Sequence, residues 1–297
     1  MQKIIESIPN FSVSEGSVLE GLISLAKSFS GVTLLDASPD TSHNRTVVTL
    51  LGDYEGMKEA IVSLVKYAIE HIDLTKHKGE HPRMGAVDVI PFVPIKNVTM
   101  EECVQLSREV AESVSQLGLP VFLYEESAVF LHGKSTTRAN LATLRKGEFE
   151  GMAEKIKEEK FKPDYGTELH KTAGIVAVGA RMPLIAFNVN LSTANVGLAN
   201  NIAKIIRGAG GGLKFVKAIG IALNEHTAQV SMNLTNYEKT PIYRALELIK
   251  IEAARYGVTV TGTELIGLAP MDALIDSAVY YMQIENYERD AILERRL

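Results

Sequence analysis

The chain has 297 residues, enough for two domains of ordinary size or one large one, with 46% hydrophobic and 23% charged residues, as in folded globular proteins. Its formal net charge of −5 excludes a general nucleic-acid coat, because phosphate binding needs an excess of Lys and Arg. The single Cys103 excludes an intrachain disulfide and a multi-cysteine zinc site.

No cationic-then-apolar segment opens the chain, and no apolar run approaches the ~18 residues of a membrane span, so a cytoplasmic protein without membrane contact is expected. The sequons at Asn10, Asn44, Asn97, Asn190 and Asn233 accordingly read as chance matches.

In chain order, Lys3 to Pro9 reads as an opening strand. Ser14 caps a predicted helix reaching about Phe29, with Val18, Leu19, Leu22 and Leu25 on one face. Val32 to Leu35 is a short strand, Asp36 to Asn44 a polar loop of turn formers, and Arg45 to Leu51 a third strand. A second helix covers about Glu55 to Ile72, with Met57, Ala60, Ile61, Leu64, Val65, Ala68 and Ile69 at helical spacing. After a polar stretch comes the strand Val87 to Val93. Strand, helix, strand, strand, helix, strand is the split βαβ, ferredoxin-like order. A helix over Thr99 to Leu117 and a strand over Val121 to Tyr124 extend it. Leu131 to Lys162 is charged and helical in parts, and Pro163 to Thr172 is turn-rich.

The second half repeats the order. It has a strand (Leu184 to Asn190), a helix (Ser192 to Ile206), a hairpin of Leu213 to Ala222 and Ala228 to Leu234, a helix (Ile242 to Tyr256) and a strand (Val258 to Gly262). A closing helix follows over Met271 to Met282. The expected fold is α+β: two ferredoxin-like subdomains, residues 1–182 and 183–297, with antiparallel or mixed sheets flanking a ligand cleft.

The polar stretch from Thr75 to Ala86 stands out, with His77, His81, Lys76, Lys78, Arg83, Glu80, Gly79, Gly85 and Pro82 in one segment. His77-Lys78-Gly79-Glu80-His81 matches the H-x-x-E-H zinc-peptidase pattern, which needs an uninterrupted helix so that both histidines face one metal. Gly79 costs a helix about 1 kcal/mol and Pro82 pushes His81 out of the helical region, so no metal is expected. Two readings remain from the residues alone: a solvated charged loop, or a loop in which one histidine transfers protons while Lys76, Lys78 and Arg83 hold a carboxylate. The second polar loop, Asp40-Thr41-Ser42-His43-Asn44-Arg45, is either a plain turn at the sheet edge or a contributor to the cleft. Gly133-Lys134-Ser135 lacks the phosphate-loop glycine where Ala128 stands, and the glycines of Gly208 to Gly212 follow a helix instead of opening one.

Six blocks, in order, resemble the formiminotransferase domain of glutamate formimidoyltransferases: Ile8-Pro9-Asn10-Phe11-Ser12, Asn44-Arg45-Thr46, His77 through Ala86, Gly179-Ala180-Arg181, Leu184 through Leu191, and Leu265 through Pro270. The resemblance implies two ferredoxin-like subdomains around a folate cleft, a homodimer, and formimino transfer from N-formimino-L-glutamate to tetrahydrofolate in histidine degradation. It implies that His81 is catalytic. It also places a folate-contacting segment near Gly166 to Gly174, read here as Gly166, Thr167, Glu168 and Gly174. The dicarboxylate substrate calls for cations, which Arg45, Lys78 and Arg83 would supply beside Asp40, His43 and Asn44. Arg181, Asn188 and Asn190 are further folate-side candidates, able equally to shape the subdomain junction. The co-substrate is expected to be (poly)glutamylated folate. A separate cyclodeaminase would complete the pathway, since the vertebrate fusion's second domain has no counterpart here. Formyl transfer in the same site, or action on 5-formyltetrahydrofolate, is the neighbouring alternative; a non-catalytic folate or amino-acid binding module is the distant one.

Overall fold

The computed structural model describes residues 3–79, 82–132 and 140–296. His81, the expected catalytic residue, and Gly133-Lys134-Ser135 lie outside the described residues. The chain divides into two compact units, Met1–Arg181 and Met182–Leu297.

The first unit is built from β1 (Ile4–Ser7), β2 (Asn10–Phe11), α1 (Gly16–Ala26), β3 (Val32–Asp40), β4 (Arg45–Gly52), α2 (Tyr54–His71), β5 (Val87–Lys96), α3 (Met100–Gln116), β6 (Val121–Tyr124), α4 (Glu125–His132), α5 (Leu141–Arg145), α6 (Glu148–Lys155) and β7 (Val176–Ala180). Its sheet runs β1-β4-β2-β5-β7-β6, with β3 on the outer side of β4. β1 and β2 each lie between β4 and β5; β5–β7 and β6–β7 pair in parallel, and β4 pairs with β1, β2 and β3 antiparallel.

Helix α2 starts where Asp53 accepts from the Gly56 amide at 2.8 Å, and it buries Met57, Ala60, Ile61, Leu64, Val65 and Ala68. Helix α3 opens on a reciprocal capping box between Thr99 and Glu102. These helices and α1 cover one face of the sheet. Met84, Val89, Phe122, Leu144, Met152 and Ala177 form a second cluster that includes α5 and α6. β6 and β7 are therefore buried throughout and β5 is buried from Val87 to Val93, which explains their largely apolar runs.

Three local expectations change. Ser14 does not cap α1: the helix begins at Gly16 with no side-chain cap, and the Ser14 hydroxyl instead donates to Asn44 Oδ1 at 3.0 Å. Asp36 to Asp40 is strand, not loop, because pairing of β3 with β4 runs to Asp40↔Arg45 and an exposed edge strand tolerates Pro39. Val176–Ala180, between turn-rich segments and unassigned from sequence, is the strand that joins β5 to β6.

The second unit comprises β8 (Ile185–Leu191), α7 (Val196–Ile206), β9 (Val216–Ala222), β10 (Ala228–Leu234), α8 (Ile242–Ala254), β11 (Val260–Ile266) and α9 (Met271–Met282). The antiparallel sheet runs β11-β8-β10-β9, so the last strand lies beside the first and the two hairpin strands follow. Ile185, Phe187, Val189 and Leu191 alternate into a core with α7 and α8, while Ala186, Asn188 and Asn190 point to the other face. Among the described residues no helix is long and apolar enough to cross a membrane.

Candidate active site around the histidine-rich loop

Helix α2 ends at His71, and His77, Lys78 and Gly79 belong to no helix, as Gly79 and Pro82 demand. The loop is pinned at both flanks. On the first, the Leu74 amide donates to the Thr172 carbonyl at 2.8 Å, and His77 is held from both sides. Its Nε2 lies 2.8 Å from the Asn44 carbonyl oxygen, and its Nδ1 accepts from Arg83 Nε at 3.2 Å. Guanidinium Nε can only donate, so Nδ1 must be the acceptor and Nε2 must carry the proton. His77 is thus a neutral imidazole with both nitrogens engaged. Burial keeps it below the ordinary histidine value; the bond to Asn44 opposes that shift and the Arg83 charge adds to it. Neither nitrogen offers a lone pair to a metal.

Asn44, at the tip of the β3–β4 turn, adopts φ +47, a left-handed conformation asparagine tolerates better than most residues. Its side chain donates to the Lys78 carbonyl at 2.9 Å and accepts from Ser14. Gly79 packs so tightly on this turn that a Cβ there would lie 2.4 Å from the His43 carbonyl oxygen. Beside it, Asp40 accepts from the His43 amide at 3.0 Å and meets His43 Nδ1 at 2.6 Å, which holds its carboxyl below the usual range.

Arg83 is only 7% exposed. It bonds Glu150 through both terminal nitrogens (2.6 and 3.0 Å) and Glu148 at 2.9 Å, and the Phe149 amide donates to its carbonyl at 2.8 Å. The guanidinium expected to hold substrate therefore spends its donors on the start of α6 and on His77. Lys78 is exposed and Arg45 half-buried.

On the second flank, the Ser12 amide and hydroxyl donate to the carbonyls of Ala86 (2.9 Å) and Gly85 (2.8 Å). Ala86 donates to the Ala173 carbonyl at 2.9 Å, and Ile175 to the Met84 carbonyl at 3.1 Å. The contacts are close enough to require glycine: a Cβ on Gly174 (φ +71) would meet the Met84 oxygen at 2.2 Å, and one on Gly85 the Ile175 oxygen at 2.3 Å. The candidate folate segment thus reaches the loop through its end, where His170 and Gly174 close a turn with paired bonds of 3.1 and 3.0 Å. Gly166, Thr167 and Glu168 are exposed.

The structure does not bring every candidate to this loop. Arg181 follows β7 near Glu6 and bonds the Tyr124 hydroxyl. Asn188 and Asn190 belong to the second unit, where Gln229 Nε2 bridges Asn190 (2.8 Å) and Glu264 (3.0 Å).

Sequence reasoning missed Asp88, Arg145, Glu148 and Glu150. Asp88 is 1% exposed; it accepts from the Met84 amide at 2.8 Å and pairs with Arg145. A carboxylate inside the otherwise apolar run Val87 to Val93 was a readable sign, since unpaired Asp is almost never fully buried. Arg145, Glu148 and Glu150 sit in a charged helical stretch with no such contrast.

The family model for the N-terminal subdomain of the formiminotransferase domain matches residues 4–181, and that for the formiminotransferase domain matches residues 186–295. The chain is 58% identical to a glutamate formimidoyltransferase of Streptococcus pyogenes serotype M1, with 100% of this chain and 99% of the relative aligned. It is 44% identical to the glutamate formimidoyltransferase of Thermoplasma acidophilum, over 99% of this chain and 97% of that one. A formimidoyltransferase-cyclodeaminase of Dictyostelium discoideum is 43% identical over 96% of this chain but only 54% of its own length.

Proposed function

The chain belongs to the formiminotransferase family, and from that footing we propose that its histidine-rich loop carries out formimino transfer with His81 as the proton-transferring group. The protein is a glutamate formimidoyltransferase: it moves the formimino group from N-formimino-L-glutamate to tetrahydrofolate. Tetrahydrofolate is the co-substrate.

In the reaction, pterin N5 attacks the amidine carbon, and a tetrahedral intermediate forms as the N5–C bond is made. The bond from that carbon to the glutamate nitrogen then breaks. The proton lost by N5 must reach the departing amine, so a group that accepts and later donates is needed, and imidazole does both near neutral pH. The observation that carries the assignment is the state of His77. With Nδ1 accepting from Arg83 and Nε2 bonded to Asn44, it cannot exchange a proton without breaking the loop's anchorage. The role falls to the loop's other histidine.

Arg45 and Lys78 are the cations we assign to the substrate carboxylates, with Asp40 and His43 lining the turn beside them. Asn44 and Arg83 are positioning residues that set the loop. Folate is assigned to Gly166, Thr167, Glu168 and Gly174, with Arg181, Asn188 and Asn190 as secondary contacts. We read residues 1–182 and 183–297 as the two subdomains. The strand order β11-β8-β10-β9 supports a ferredoxin-like second subdomain, and the β3-β4-β1-β5 portion of the larger sheet supports the same motif in the first. A cytoplasmic homodimer, working with a separate cyclodeaminase, completes the reading.

The test is turnover of formiminoglutamate with tetrahydrofolate by wild type and His81→Ala. A fall of roughly 10²–10⁴-fold in kcat is expected for loss of a general acid–base. Near-normal turnover by the variant would refute the assignment.

A further inference from the structure

The face of the second unit's sheet turned away from its core carries a polar clasp. Asn190 of β8 pairs with Gln229 of β10 on one side and with Gly262 of β11 on the other, and Glu264 stands two residues further along β11, opposite Asn188. Gln229 is 1% exposed. Its Nε2 lies 2.8 Å from Asn190 Oδ1 and, across β8, 3.0 Å from Glu264 Oε2.

These two bonds fix which atoms face outward. A carboxylate only accepts, so the nitrogen of the Gln229 amide must face Glu264. The same nitrogen needs an acceptor on Asn190, which commits the Asn190 oxygen to the clasp and leaves its Nδ2 as a directed donor. Gln229 occupies one lone pair of Glu264, and a carboxylate has about four.

The backbone beside them makes room. The β11–β8 register passes from Val260↔Leu191 to Gly262↔Asn190, so Thr261 is the extra residue of a β-bulge. A Cβ built on Gly262 would meet Asn190 Nδ2 at 3.9 Å, an ordinary contact, so the missing side chain opens a notch over that donor. Glycine inside a strand often marks a place where a ligand approaches closely. The notch is flanked by Asn190 and Glu264, both half-buried.

A donor beside a carboxylate fits one edge of the co-substrate. The pterin ring of tetrahydrofolate ends in an aminopyrimidinone whose O4 accepts while N3–H and the 2-amino group donate. A carboxylate takes two such donors as a bidentate pair, and an amide N–H takes the carbonyl. The protonated amidine of the formimino donor offers N–H donors alone and would leave Asn190 unmatched. We propose that Glu264 and Asn190 receive the aminopyrimidinone edge of tetrahydrofolate, with Gln229 as the positioning residue that sets both. This rests on the formimino-transfer reading.

The test uses the full chain as wild type, Glu264→Gln, Gln229→Met and Gly262→Val. Two unreactive folates serve as inhibitors competing with tetrahydrofolate: 5,8-dideazafolate, which keeps the aminopyrimidinone edge but has carbon in place of N5, and its 2-desamino-2-methyl counterpart, which lacks one donor. Wild type should prefer the first by about ten-fold or more. Glu264→Gln should bring that preference within about two-fold and raise the KM for tetrahydrofolate about ten-fold or more, with the KM for formiminoglutamate changed less than about two-fold. Gln229→Met should narrow the preference part of the way; an unaltered preference would overturn its positioning role. A clasp that only braces the sheet predicts that the preference persists in Glu264→Gln, and that result overturns the proposal. So does a rise in KM confined to formiminoglutamate, which would assign the carboxylate to the donor. If Glu264→Gln does not fold, Gly262→Val decides: filling the notch should raise the KM for tetrahydrofolate and not that for formiminoglutamate, and an unchanged KM for tetrahydrofolate refutes the seat. Wild type that binds both inhibitors without preference also refutes the seat alone, whereas wild type with no turnover and no binding of either inhibitor refutes the transfer reading itself.

Discussion

His77 is the residue whose protonation the fold resists most visibly at the candidate site. Its folded pKa lies below the ordinary value because burial, and then the Arg83 charge, disfavour the imidazolium. The unfolded imidazole takes up a proton near its ordinary value of about 6.5, before the folded one does, so acid favours unfolding. The contribution of His77 is complete above that pH and is lost as pH falls through the lower folded pKa. In urea unfolding, wild type should lose more stability between pH 7.5 and 5.5 than His77→Gln does; equal pH dependence would contradict the neutral, doubly bonded state. Asn44 combines backbone conformation with two side-chain bonds. Asn44→Gly keeps the left-handed backbone and loses only the bonds, costing about 1–2 kcal/mol, whereas Asn44→Ala adds about 1 kcal/mol of backbone strain. The measured order of thermal midpoints should be wild type, Gly, Ala. Both histidines and the cations were legible in the sequence. That Arg83 bonds Glu148 and Glu150 was not, because they lie more than sixty residues away, at separations of 65 and 67.

At the scale of elements, the histidine-rich loop is a connector whose ends are stitched to neighbouring segments. Gly85 and Gly174 let the chain before β5 and the chain before β7 approach within hydrogen-bonding distance. Gly174→Ala combines φ +71 with a backbone collision, while Gly118→Ala has φ +85 and nothing within 4 Å. Gly118→Ala should therefore cost about 1–2 kcal/mol, and Gly174→Ala more than about 3 kcal/mol, read from denaturant midpoints with unchanged slope. Equal costs would mean that the chain near Met84 yields freely. Element identity was mostly readable: the helical faces of α2 and α3 and the run of β5 carry their own periodicity. β3 beyond Leu35 was not, since Asp36, Ser38, Pro39 and Asp40 favour turns and are strand only because β4 pairs with them. β7 was missed because its five residues carry no alternation and are strand through neighbours on both sides.

For the whole molecule, each unit carries a hydrophobic core of its own. Ile185, Val189, Leu191, Ile202, Val230 and Ile249 belong to the second unit's core and include no residue of the first. A fragment of residues 182–297 should therefore retain helical and strand circular dichroism and unfold cooperatively. A fragment without a cooperative transition would mean this core is insufficient by itself. The fragment's sheet would leave Ile219, Ile221 and Ile266 uncovered, residues exposed in the present structure too, so association at high concentration is expected.

By itself the sequence determined the α+β class and the repeated strand–helix order, and it singled out the histidine-rich loop as the candidate site. These follow from local periodicity and from residue types whose chemistry is their own. Only the tertiary structure decided which charges are free and which are spent. Arg83 is committed to glutamates of α6, His77 to a carbonyl of a distant turn, and Asp88 to an arginine 57 residues away. A side chain's role depends on which partner reaches it through space, and local sequence does not carry that information.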